Sequence, residues 1–121
     1  MSEEELYKNY IMYILVKEEY PPSVAINSSV HLGMNCFMSW SGEEEFDGWR
    51  KHSFRKVTCM LSPKEFETIE KVLQKTGLKK IEQVENRLGG AHILTGIYPF
   101  DVTKHEFKAF KFLRLYKWKE D

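Results

Sequence analysis

The sequence predicts an α/β fold: one domain over residues 1–121, in which a mixed, roughly four-stranded sheet is covered by helices. Three observations carry that expectation. Tyr10-Ile-Met-Tyr-Ile-Leu-Val16 is an apolar run without alternation, bounded by charged and Pro residues, as in a central strand covered on both faces. Phe54 to Leu61 is rich in β-branched and apolar residues, and it leads straight into Ser62-Pro63-Lys64-Glu65, a helix start. At 121 residues and 42% hydrophobic composition, the chain has material for one core. A chain of this size folds away roughly two-thirds of its unfolded surface.

The elements follow in order. After the first strand, Glu18-Glu19-Tyr20-Pro21-Pro22-Ser23 reads as a tight loop, with Ser23 as the N-cap of a helix reaching about residue 38. Ile26, Val30, Met34 and Phe37 form one apolar stripe at helical spacing, while Ala25, Ser28, Ser29 and Leu32 make the other side small or apolar, so the helix is expected to pack closely against both the sheet and a neighbour. Ser39 to Ser53 holds two Trp, two Gly and the acidic run Glu43-Glu44-Glu45-Phe46-Asp47 without a period, and reads as a mobile surface loop. The helix opened by Ser62 has a capping box, Pro at its first position, a stripe of Phe66, Ile69, Val72 and Leu73, and Gly77 as its stop. Leu78 to Glu85 is a more polar strand. In Asn86 to Phe107, Ile93 to Tyr98 fits a strand or a lid, and Asp101 to Phe107 a helical turn. Lys108 to Trp118 alternates Phe110, Phe112, Arg114, Tyr116 and Trp118 with Lys111, Leu113, Leu115 and Lys117, which suggests a strand near an edge.

Eighteen Lys plus Arg cancel eighteen Asp plus Glu, so no global field draws the chain to nucleic acid or a membrane. Residues 1–49 hold nine acids and two bases, 9 − 2 giving −7, and residues 50–121 hold sixteen bases and nine acids, 16 − 9 giving +7. In an interleaved sheet such halves share faces. Cys36 and Cys59 lie in apolar stretches without ligand spacing and read as buried thiols. Met-Ser-Glu-Glu-Glu lacks the form of a signal peptide, and no apolar run approaches the roughly 18 residues that span a bilayer. A cytoplasmic protein without membrane contact is therefore expected.

Chemistry-bearing motifs are few. No nucleophile elbow, P-loop or Gly-x-Gly-x-x-Gly occurs, and His52, His92 and His105 lack metal-ligand spacing, so neither metal nor cofactor is expected and no catalytic residue is assigned. Lys108, Lys111, Arg114, Lys117 and Lys119 alternate with aromatics. On a regular strand, however, Lys111 and Lys117 point opposite to Phe110, Phe112 and Tyr116, which disfavours a nucleic-acid platform.

Tyr13-Ile-Leu-Val-Lys17, Pro21-Pro22-Ser23-Val24-Ala25-Ile26-Asn27-Ser28-Ser29 and Leu32-Gly33 resemble the opening of an uncharacterised, non-hydrolase branch of the type II peptidyl-tRNA hydrolase-like superfamily. The resemblance covers residues 9–37 best, extends to 54–85, and implies a small α/β sandwich. The hydrolases carry a Gly-Lys-Gly-Lys segment entering the first helix, whereas Tyr20 to Val30 contains no lysine. Glu85-Asn86-Arg87-Leu88-Gly89-Gly90 keeps at most one glycine of their Asp-Ala-Gly-x-Thr-Gln signature. The resemblance therefore implies the fold without the hydrolase lysine.

A binding module for a small ligand or a protein follows as the expected function, with a divergent peptidyl-tRNA or related ester hydrolase as the alternative. The candidate site lies where the first helix begins. Ser23 and Val24 offer a helix start with no acid in its first turn, attractive to a small anionic ligand, and Asn27 and His31 follow along the helix. His92 and Thr95 join the set through the resemblance, which places their loop opposite that helix start. Trp40, Phe46 and Trp49, three large aromatics in an apparent loop, suggest a homodimer or a protein partner.

Overall fold

A computed structural model of the chain describes residues 1–117. Eleven elements follow one another: α1 (Glu3–Tyr7), β1 (Tyr10–Lys17), α2 (Pro22–Trp40), α3 (Glu44–His52), β2 (Arg55–Leu61), α4 (Pro63–Thr76), β3 (Lys80–Glu85), a 3₁₀ turn (Asn86–Leu88), β4 (Ala91–Ile97), β5 (Phe100–Asp101) and a 3₁₀ segment (His105–Phe112). The α/β expectation holds as a five-stranded mixed sheet with helices. Its main path runs β2-β1-β4-β3, and the short β5 pairs with the start of β1. β1 is parallel to β2 and antiparallel to β4, which is antiparallel to β3. The apolar run Tyr10–Val16 is thus the strand flanked on both sides, as its lack of alternation requires.

Alternation along β1 divides the core in two. Ile11, Tyr13 and Leu15 pack with Phe66, Ile69 and Leu73 of α4, while Met12 and Val16 pack with Ala25, Leu32, Cys36 and Trp40 of α2. The capping box on α4 forms in full: Glu65 N–H donates to Ser62 Oγ, Ser62 N–H donates to Glu65 Oε1, and Gly77 closes the helix in the left-handed region at φ 71°. Cys36 and Cys59 are buried free thiols, and burial pushes them up to about 12 and about 11.

Four expectations are corrected. The N-cap of α2 is Pro21, not Ser23: Pro22 takes the first helical position, where its fixed φ fits, and holds Pro21 extended at ψ 158°. The stripe Ile26, Val30, Met34 and Phe37 faces outward, 57%, 59%, 61% and 50% exposed, while Ala25, Ser28, Leu32, Cys36 and Trp40 face the sheet. The cause lies in β4, where Gly96 lets Leu32 and Cys36 approach so closely that an added Cβ would stand 3.0–3.1 Å from them.

The stretch Ser39 to Ser53 is not a loop but carries α3, with Glu44, Glu45 and Asp47 in its first turn and Arg50, Lys51 and His52 in its last, each end complementing the helix dipole. Residues 105–112 form a 3₁₀ segment rather than a strand. Its three-residue turn aligns the buried pair Phe107 and Phe110 and leaves Phe112 outside. Of the expected edge strand, only Leu115 bridges to Cys59, and Trp118 and Lys119 lie outside the described residues. The sequence also passed over α1, although Ser2 accepts from Glu5 N–H in a Ser-x-x-Glu start. Among the described residues no helix is long and apolar enough to cross a membrane.

Candidate functional site

α2 lies over β3 and β4, so the side chains on its flank meet the polar edge strand. Ser28, buried on this flank, donates its hydroxyl to Glu85 Oε1 at 2.8 Å, and His31 Nδ1 lies 3.1 Å from the same oxygen. One turn on, Asn35 Nδ2 donates to Gln83 Oε1 at 2.9 Å. These bonds join residues about fifty positions apart in sequence. The Ser28 bond first, and the His31 bond second, hold the Glu85 carboxyl below the ordinary carboxylate range. Glu85 is therefore a fixed anion at neutral pH.

Beside these bonds opens a cleft of about 620 Å³, lined by Asn27, Val30, His31 and residues 83–87. Asn27, His31 and Arg87 are exposed there. Arg87 forms no ion pair among the described residues.

A serine, a histidine and a carboxylate in contact invite comparison with a catalytic triad, but the wiring differs. In a triad the histidine stands between nucleophile and acid and takes the hydroxyl proton. Here both Ser28 and His31 bind one oxygen of Glu85, and the Ser28 proton is committed to the carboxylate. The arrangement fixes the carboxylate and does not activate the hydroxyl.

The six sequence-selected residues divide into three places. Asn27 and His31 line the cleft. Ser23 and Val24 belong to the first turn of α2, where the Val24 and Ala25 amides both donate to the Pro21 carbonyl and leave little for an anion. His92 and Thr95 lie on the other face of the sheet. Gly96 faces α2, so its neighbour Thr95 faces α4, and His92 donates to or accepts from Thr95 Oγ1 at 2.7 Å with its ring 6.0 Å from Phe66 of α4. The register shift between Gln83 and Val84 sets Ile93 as an extra residue in β4 and brings His92 round to Thr95. Burial, then the Lys17 charge, lowers the His92 pKa.

Glu85, Gln83 and Arg87 were absent from the sequence-selected set. A carboxylate ending a strand carries no signal until the helix above it is known.

Trp40, Phe46 and Trp49 are not a surface patch. They are 5%, 3% and 2% exposed; Trp40 and Phe46 pack on each other and on Tyr98, whose hydroxyl accepts from Phe46 N–H at 3.2 Å, and Trp49 packs on Phe46. The Trp49 indole donates to the Arg55 carbonyl at 2.9 Å. Their place is the core beneath α3, so they do not themselves form the exposed partner surface expected from them.

A second concavity, about 410 Å³ and mostly apolar, opens on the same face of the sheet as α2. Met12 and Ile14 of β1 with Lys56 and Thr58 of β2 form its floor, Val30, Gly33 and Phe37 one wall, and Trp49, Arg50 and Phe54 the other.

Neither the family models nor the curated proteins contain a match to this chain.

Proposed function

We propose that this chain is a binding module on a peptidyl-tRNA hydrolase II-like fold, without hydrolase chemistry, taking a small anionic ligand in the α2–β3 cleft. The observation that carries this is the Glu85 carboxylate, fixed by Ser28 and His31 at the wall of a cleft that also presents Arg87 and Asn27. A carboxylate or phosphate end would pair with Arg87 and the Asn27 amide, while a donor on the same molecule would meet Glu85. A peptide terminus or a small amino-acid-like metabolite has both groups. The resemblance of Pro21 to Gly33 supports the fold, and the lack of lysine from Tyr20 to Val30 supports the loss of the hydrolase reaction.

The test joins a thermal-shift screen of amino acids, short peptides and phosphorylated metabolites to a peptidyl-tRNA hydrolysis assay. A ligand at a hundred times its Kd stabilises the folded chain by about 2.7 kcal/mol, a shift of about 10 °C. The expected result is such a shift from an anionic compound, lost in Arg87→Glu, with no turnover. Turnover of peptidyl-tRNA, or no shift from any anionic compound, would overturn the proposal.

A further inference from the structure

We infer that two copies of this chain associate through the outward stripe of α2 and the apolar groove beside it. α2 runs nineteen residues from Pro22 to Trp40 without a single Asp, Glu, Lys or Arg. Its outward face carries Ile26, Val30, Met34 and Phe37, large apolar side chains at positions i, i+4, i+8 and i+11. A surface helix of this length normally turns charge to water, and an exposed apolar patch of this kind marks a contact surface.

The groove asks for such a stripe. α2 lies mainly over β3 and β4, and between α2 and α3 a trough opens whose floor holds the buried Met12 with the half-buried Ile14 and the exposed Thr58. Grooves of this form take an amphipathic helix by anchors one turn apart. This chain displays both halves side by side, the helical stripe and the trough, which is the self-complementarity that a two-fold interface requires. The stripe bears no charge, and the groove carries two cations on exposed positions: Arg50 on one wall, its guanidinium 6.0 Å from the Phe37 ring, and Lys56 on the floor, 3.3 Å from the Phe54 ring.

With Ile26, Val30, Met34, Phe37 and Phe54 50–61% exposed, complete burial of all five would remove on the order of 600 Å² per copy, or about 1,200 Å² for the pair, the low end of specific interfaces. Phe54 takes a left-handed backbone at φ 55° as it closes α3, its N–H donating to the Trp49 carbonyl, and leaves its ring half exposed on the groove wall.

Sedimentation velocity of the whole chain from about 1 to 200 μM tests this, because Val30 and Phe37 are exposed and their replacement leaves the core intact. The wild type is expected to sediment as twice 14.4 kDa at the upper concentrations. Val30→Glu and Phe37→Glu should each sediment as monomer throughout, with unchanged circular dichroism. A wild-type monomer over the whole range would overturn the inference, even if some other protein bound the groove. A dimer that survives both substitutions would overturn it equally.

Discussion

Two glycines sit inside helices of this chain, and adding one methyl group to each should have opposite effects. A helix-interior Gly costs roughly 1 kcal/mol relative to Ala, so Gly→Ala with open space around the new carbon should stabilise by nearly that amount. Gly33, on the outward side of α2, has nothing within 4 Å of an added Cβ. Gly48, in α3, would place its Cβ 2.3 Å from Cε2 and Cζ of Tyr7, far inside the roughly 3.5–4.0 Å of an ordinary carbon contact. Tyr7 cannot simply swing away, since its ring is buried between Tyr10 at 4.9 Å and His52 at 6.3 Å. Undocking it forfeits roughly 1.5–3 kcal/mol of burial, which outweighs the propensity gain. Gly48→Ala should therefore be about 0.5–2 kcal/mol less stable than wild type and Gly33→Ala up to about 1 kcal/mol more stable, with Tm moving about 4 °C per kcal/mol in a domain of this size. Urea and thermal unfolding at low micromolar concentration, where self-association adds little, give both numbers. If Gly48→Ala raises Tm as Gly33→Ala does, the packing of α1 on α3 through Tyr7 is wrong.

Ser62→Ala removes the α4 cap and should cost about 1 kcal/mol, read as a lower urea midpoint with unchanged slope. His92, which burial makes harder to protonate than the ordinary 6.5, favours the neutral folded state. Below pH 6.5 the unfolded chain takes up a proton that the folded chain refuses, so stability should fall as pH drops from 6.5 through the lower folded value. Glu65, Glu82 and Glu85, all lowered from 4.5, act below that window. His92→Gln should flatten the loss between pH 7 and 5.5, and an unchanged slope would exclude His92 as its source. In Ser28→Ala, the Glu85 carboxyl should titrate higher than in wild type by NMR, because the largest influence holding it low is gone.

How much could be read from the sequence depended on whether the information was local. The Tyr10–Val16 strand and the Ser62–Gly77 helix need only their own residues and caps, and both stand where expected. The orientation of α2 was not local. Spacing marks both a large apolar stripe and a small one, and the choice between them falls to Gly96, sixty-odd residues away, which admits the small face. In residues 39–53, Gly48 breaks the helical pattern and hid α3, though the order of acids before bases was already a helix signal. At the C-terminus, aromatic residues at period two suggested a strand, yet the pair that packs, Phe107 and Phe110, has period three. Part of the candidate cleft's lining was legible. Asn27 and His31 announced themselves on α2, while Glu85 joined them only through the pairing of β3 with β4 under that helix.

The α2–β3 cleft is proposed to bind an anionic ligand. Amide chemical-shift mapping on labelled protein, titrated with the anionic compound that gives the largest thermal shift, tests it most directly. Shifts are expected at Asn27, His31 and residues 83–87, saturating with ligand and absent in Arg87→Glu. Shifts gathered instead at His92 and Thr95, or at the apolar groove, would contradict it.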